Sequence, residues 1–452
     1  MSDGATREGE LASWAAALVG EASVTLKRRP GGGSHEAWDV IAGSYPTPRW
    51  FLRCDAAPRP AYVPYTLRRE AEVYRAVHAL GLPSPGVLGV HPTQEAVLLE
   101  RATGDAAFAR LDSAIQTALV DDFTPWIAKL HAADPASLGL PDLGEPATVP
   151  EAIVTELDHW EARLDASGVP DPILTACFSW LRDNIPDTGD MRPSLVQGDT
   201  GPGNFLHDGR RVTAFLDFEL AHFGDPMEDI AWVGTRNSQE PVPDFEHFIA
   251  RYEAAAGAPV DRDRIRYHFL FAELRIAALG AERAGTKASE LEAEHGNRLI
   301  YGALHRRLTV EALAAAMHVP LPEAQLPSLA DTDETRYFDA ALHQMQHRIG
   351  PEIADPWASR LLKGLARLVK YLREVDRAGT THAEAELDDL ERLLGHRPAT
   401  VGEGATELLA KVRSREVSPA DLLPYAANQV ARRTQLLAPA MGVLATRHLP
   451  TI

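Results

Sequence analysis

Along the first hundred residues the apolar positions fall mostly in short runs separated by turn residues, with one longer helical stripe. Ser23–Lys27, Trp38–Ala42 and Trp50–Arg53 read as strands. The segment Pro30-Gly31-Gly32-Gly33-Ser34 after the first of them is a turn that no helix or strand interior tolerates. In Thr66–Leu80 apolar residues recur at Leu67, Ala71, Tyr74, Val77 and Leu80, one face of a helix. Gly81 stops that helix and Pro83 prevents its return. Val87–Val90 and Ala96–Leu99 then predict a hairpin around His91-Pro92-Thr93-Gln94.

Beyond residue 104 the period becomes helical. Ala114–Ala133, Glu151–Leu164, Pro172–Asn184 and the stretch from Asp261 through Met317 are periodic, and one non-helical island, Pro193–Asp225, interrupts them. A proline-bearing stretch with Pro320, Pro322 and Pro327 follows. After it Glu334–Arg348, Ala358–Ala378, His382–Leu394, Gly404–Arg415 and Pro419–Gln435 read as helices that carry no catalytic constellation. The expected organisation is therefore a β-rich segment over 1–104, a helical segment over 105–318, a linker over 319–330 and a helical C-terminal domain over 331–452. No internal repeat of solenoid or propeller period is present.

Composition narrows the function classes. Among 452 residues, 45 Lys plus Arg stand against 64 Asp plus Glu, a formal charge of −19. That balance argues against a nucleic-acid surface, which needs a basic stripe, but leaves room for a nucleotide, which needs only a local cluster of donors. No apolar run approaches the ~18 residues of a membrane span. The start, MSDGATREGELASW, lacks the basic and apolar regions of a secretory signal. Cys54 and Cys177 make neither a metal-ligand spacing nor a disulfide framework, so a reducing cytoplasm is the expected compartment.

The island carries the chemistry. Gln197-Gly198-Asp199-Thr200-Gly201-Pro202-Gly203-Asn204 precedes a turn at His207-Asp208-Gly209 and a strand, Arg211–Phe218, near whose end Asp217 and Glu219 lie. Phosphoryl transfer needs one carboxylate to orient a hydroxyl and take its proton. It also needs an amide oxygen and a second carboxylate to hold Mg²⁺ against the nucleotide phosphates. Asp199, Asn204 and Asp217 have those residue types at that spacing. Asp225-Pro226-Met227-Glu228 has a structural explanation instead, an N-cap, a proline at the first helical position and an acidic residue at the third. Asp229 falls in the first turn, where its charge suits the helix dipole.

The segment QGDTGPGNFLHDGRRVTAFLDFELAHFGDPMEDIAW resembles the aminoglycoside phosphotransferase and choline kinase group, and most closely its branch associated with acyl-CoA dehydrogenases. The family pattern is H-G-D, four residues, N, a strand ending in D, then G-D-P and D. Leu130-His131-Ala132 and the stretch Glu151–Pro186 extend the likeness to about residues 20–315. The resemblance implies an α+β, protein-kinase-like fold of two lobes, a small β-rich N-lobe and a helical C-lobe, here with an all-helical C-terminal domain appended. It implies Asp199 as catalytic base, Asn204 and Asp217 as Mg²⁺ ligands, and Glu219 as a neighbouring contact. Gly31, Gly32, Gly33 and Ser34 would cover the phosphates of ATP or GTP with backbone N–H groups. Arg53 would touch the α/β-phosphates and pair with Glu70, and Leu98–Ala102, with Glu100 in it, would be the hinge facing the purine.

Two positions depart from the pattern. Gln197 replaces the usual histidine, and its amide can take over a structural hydrogen bond. Arg53 stands where many members have lysine, a change common in the acyl-CoA-dehydrogenase-associated branch. The expected activity is transfer of the γ-phosphoryl group to a hydroxyl of a small molecule. A hydroxyacyl-CoA or hydroxy acid ranks above an aminoglycoside as acceptor. The rival reading is a catalytically weak pseudokinase that serves as a nucleotide-binding or docking module. No nucleic acid or membrane is expected as partner, and the C-terminal helices are the expected contact for a homodimer or a partner enzyme.

Overall fold

The computed structural model describes residues 2–29, 35–43, 45, 47–55, 64–284 and 295–452. They group into two compact units, Met1–Ile153 with Thr188–Asp261, and Val154–Asp187 with Arg262–Ile452.

The first unit begins with helix α1 (Ser2–Val19), β1 (Val24–Arg28), β2 (Glu36–Ala42), β3 (Trp50–Cys54), helix α2 (Leu67–Ala79), β4 (Val87–Val90) and β5 (Ala96–Glu100). The strands form one antiparallel sheet in the order β1-β2-β3-β5-β4. Strand alternation sends Leu26, Val40, Leu52 and Leu98 to one face, where Leu11 and Ala15 of α1 cover them. Helix α1 has no counterpart among the elements expected from the sequence, because its apolar stripe follows a polar first turn that carries no helix signal. Helix α2 is capped by Thr66, whose side chain accepts from Arg69 N–H, and it buries Leu67, Ala71, Tyr74 and Val77 as the stripe required. It also buries Arg69 and Glu70, which a simple amphipathic helix would expose.

The same unit continues through α3 (Ser113–His131), the short strands β6 (Ser194–Val196), β7 (Phe205–His207), β8 (Val212–Phe215) and β9 (His222–Gly224), and the helices α6 (Pro226–Arg236) and α7 (Phe245–Ala256); α4 (Val149–Ala166) and α5 (Pro172–Asp183) intervene in sequence. β6 pairs with β9 and β7 with β8, both antiparallel. Phe123 of α3 packs on Phe205, Phe215 and Phe248, with ring centroids 5.1, 5.6 and 6.3 Å away. That aromatic cluster seats the β7–β8 hairpin.

The second unit holds most of α4, then α5, α8 (Arg262–Ala284), α9 (His295–Ala316), α10 (Thr335–Gln344), α11 (Pro356–Ala378), α12 (Thr381–Leu394), α13 (Val401–Arg413) and α14 (Pro419–Met441). Within the predicted 261–317 stretch the described residues form the helices α8 and α9. Residues 319–330 carry no helix, yet Ile300, Ala303, Leu304 and Leu308 of α9 share a core with Leu437, Ala440 and Met441 of α14. One hydrophobic core therefore spans both sides of the stretch read as a linker. Among the described residues no helix is long and apolar enough to cross a membrane.

Candidate active site

The loop after β6 is shaped from behind. Asp229, in the first turn of α6 and fully buried, accepts the backbone N–H groups of Gln197 at 2.9 Å and Gly198 at 3.0 Å. His131 Nε2 lies 3.0 Å from the same carboxylate, and its Nδ1 lies 2.8 Å from the Tyr252 hydroxyl. Asp229 is thus more than a partner of the helix dipole: it anchors the loop. Asp225 is the N-cap of α6, its side chain accepting from Met227 N–H. Gly198 has φ +78°, and a Cβ there would lie 2.5 Å from Leu220 O, so the loop closes on the 217–221 segment only with glycine.

Gln197 Nε2 donates to Leu216 O at 2.6 Å, and Leu216 N–H donates to Asn204 O at 2.9 Å. These bonds lay the end of β8 beside the loop, so Asn204 and Asp217 project from neighbouring backbone. Asn204 Nδ2 donates to Asp199 Oδ2 and to Asp199 O, both at 2.8 Å. Its Oδ1 is left as an acceptor. Arg236, in the last turn of α6, holds Asp199 with two donors, Nε to Oδ1 at 2.8 Å and Nη2 to Oδ2 at 2.5 Å. Burial pushes the Asp199 carboxyl above its ordinary range, and the Arg236 charge opposes the rise without cancelling it.

From the sheet, Arg53 Nη1 donates to Glu70 Oε1 at 2.5 Å and Nη2 to Asp217 Oδ1 at 3.1 Å. Burial pushes the Glu70 carboxyl up to about 7 against the lowering effect of Arg53. His35 was not singled out in the sequence. It lies 2.5 Å from Asp55 through Nδ1 and 2.8 Å from Glu219 through Nε2. Burial lowers its pKa, and the two carboxylates outweigh that and raise it.

These groups surround a cavity of about 600 Å³. Its walls include Arg53, Leu99, Glu100 and Ala102 from the sheet side, and Asp199, Asn204, Asp217 and Glu219 from the loops. Of the residues expected at a nucleotide site, Gly31, Gly32, Gly33 and Ser34 lie outside the described residues. Arg53, Glu100, Asp199, Asn204 and Asp217 line the cavity, as do Leu99 to Ala102 of the expected hinge, whereas Leu98 is buried in the sheet core and Glu70 is 1% exposed behind Arg53. Among the described residues no group of three or more His, Cys, Asp or Glu stands at metal-binding spacing. Mg²⁺ needs less: one or two protein oxygens suffice when phosphates and waters complete its shell. The Asn204 amide oxygen and the Asp217 carboxylate, with Glu219 close by, are a hard-oxygen donor set that fits it.

A model of the APH phosphotransferase enzyme family matches residues 25–268. The chain belongs to that family. Among curated relatives it is similar to acyl-CoA dehydrogenase family member 11 of Homo sapiens, 27% identical over 219 residues, 42% of this chain and 27% of that protein. The Rattus norvegicus counterpart is 28% identical over 183 residues, 37% of this chain and 22% of that protein. The match spans about a quarter of these relatives' length. Among solved structures, a protein from Ralstonia eutropha provisionally assigned as an aminoglycoside phosphotransferase aligns with TM-score 0.53 at 20% identity, over 70% of this chain and 99% of that one. The fold is accordingly α+β and protein-kinase-like, with a β-rich N-terminal region, a helical remainder and further helices at the C-terminus.

Within this APH phosphotransferase, His35, Tyr74, Asp229 and Arg236 belong to the site or its support although the sequence does not mark them as its parts. Asp229 carried a signal, the final D of the family pattern, but helix-end chemistry explained it equally well. Arg236 carried none, because its contact with Asp199 crosses 37 residues.

Proposed function

We propose that this APH-family phosphotransferase moves the γ-phosphoryl group of ATP or GTP to a hydroxyl of a small molecule. One observation carries the reading: a single cavity brings the end of β5, Arg53, Asp199, Asn204 and Asp217 to common walls. The purine would lie along Leu99–Ala102, with its phosphates toward Arg53. Asn204 and Asp217 would hold Mg²⁺, which would neutralise charge on the β- and γ-phosphates. Asp199 would accept the acceptor's proton. Oδ1 takes one bond from Arg236 and keeps a lone pair for the hydroxyl, whose oxygen attacks the γ-phosphorus as the nucleoside diphosphate leaves.

For the acceptor we favour a hydroxyacyl-CoA or a hydroxy acid over an aminoglycoside. The support is the similarity to acyl-CoA dehydrogenase family members, whose names point to acyl-thioester metabolism. The test is a screen for Mg²⁺-dependent release of ADP or GDP across hydroxyacyl-CoAs, hydroxy acids, amino alcohols, sugars and aminoglycosides, run with the parent and Asp199→Asn. An acceptor that raises release in the parent and not in Asp199→Asn is expected. Release that no acceptor stimulates and that Asp199→Asn leaves intact defeats the proposal.

A further inference from the structure

Asp217 has a left-handed backbone, φ 62°, which a Cβ disfavours. The pairing that aligns β8 with the catalytic loop ends one residue earlier, with Leu216 N–H on Asn204 O. The Asp217 amide turns away and donates to the Tyr74 hydroxyl at 2.9 Å. Tyr74 is 1% exposed, and its ring stands edge-on to Phe218 with centroids 5.2 Å apart.

Helix α2 therefore holds Asp217 at two atoms. Tyr74 takes the backbone N–H, and Glu70, one turn earlier, holds Arg53, which reaches the carboxylate at 3.1 Å. Arg69 of the same helix donates from Nη2 to Ala221 O at 2.8 Å, fastening the far end of the segment. Packing alone does not require the hydroxyl, since a phenylalanine ring would fill the same space. A buried hydroxyl with no partner is costly, and so is a buried amide with none. In this structure the Tyr74 hydroxyl oxygen accepts the Asp217 amide, so that amide is not left without a partner.

We infer that Tyr74 is a positioning residue for Asp217: its hydroxyl captures the amide of a left-handed residue and so aims the carboxylate beside Asn204. The inference rests on the reading of Asp217 as an Mg²⁺ ligand. It makes the seating of α2 a condition for metal binding as well as for the Arg53–Glu70 pair.

The test measures ADP binding calorimetrically to the parent, Tyr74→Phe and Asp217→Asn, each with saturating MgCl₂ and with EDTA. Tyr74→Phe keeps the ring and removes one oxygen. Its ADP affinity in EDTA should match the parent, and the gain that Mg²⁺ adds should fall about tenfold, the scale of one unpaired buried group. The rise in melting temperature that Mg²⁺ with ADP confers should shrink in step. An undiminished Mg²⁺ gain overturns the inference, and so does an equal loss of affinity in Mg²⁺ and in EDTA, which would mark a general loosening. Loss of the gain in Asp217→Asn with none in Tyr74→Phe overturns the inference alone. A full gain in Asp217→Asn overturns the ligand reading and the inference with it.

Discussion

Arg236 grips Asp199 at both carboxylate oxygens, Nε on Oδ1 at 2.8 Å and Nη2 on Oδ2 at 2.5 Å. The grip fixes the carboxylate plane, and its charge partly offsets the rise that burial imposes on the Asp199 pKa. A base works only when deprotonated, so turnover should fall as pH drops through that raised value. Arg236→Met removes the lowering charge, sends the Asp199 pKa higher and should move the acid limb of the pH–rate profile to higher pH. Turnover near neutrality should drop about tenfold or more. An acid limb that stays in place in Arg236→Met contradicts this coupling.

Asp199→Asn removes proton acceptance and leaves Asn204 and Asp217 in place. Turnover should fall by ~10²–10⁴-fold while Mg²⁺-nucleotide affinity stays near the parent value. Titrating nucleotide and measuring single-turnover rates on the same preparation decides it. Lost nucleotide binding in Asp199→Asn would mean that Asp199, not Asp217, holds the metal.

Arg53→Ala strips the buried Glu70 and the neighbouring Asp217 of their common partner. A charge-assisted contact is worth about 1.5–3 kcal/mol, or roughly ten- to hundredfold in affinity. Nucleotide binding should weaken on that scale. Unchanged binding would exclude Arg53 from the nucleotide site.

Glu70 links stability to pH. Its folded pKa of about 7 lies above its ordinary 4.5, so the folded state holds the proton more tightly than the unfolded chain. Below pH 4.5 nothing is lost. Stability should decline as pH rises from about 4.5 through about 7. Urea midpoints at pH 5 and pH 8 should differ by less in Glu70→Gln than in the parent. Equal pH slopes in the two proteins would refute the linkage.

A chain ending at Leu329 loses α10–α14 and uncovers Ile300, Leu304 and Leu308, which pack against Leu437 and Met441. Each such side chain contributes about 1.5–3 kcal/mol by burial. The shortened chain should aggregate or melt well below the parent, as read by size-exclusion chromatography and calorimetry. A monomer that melts like the parent would show the C-terminal helices to be dispensable for the α9 core.

Period and punctuation along the chain were enough to read the strands β1 to β5, helix α2 and the C-terminal helices, because each depends on its own residues. The Gln197–Asp217 island was legible for the same reason: its three chemically telling residues lie within one short stretch. The pairing of Arg53 with Glu70 came from the family resemblance, which asks for a basic residue on the third strand and an acidic one on the helix after it, and the structure joins them at 2.5 Å. The rest was decided by packing across long separations. Arg236 reaches Asp199 across 37 residues, Tyr74 reaches Asp217 across 143, and His35 reaches Glu219 across 184. None of these contacts leaves a period in the sequence. Whether a buried polar side chain is a cap, an anchor or a clamp depends on which orphaned donor or acceptor the fold brings to it. Asp225 and Asp229 show this on one helix: both sit at its start, one caps the helix itself, and the other holds the loop that carries Asp199.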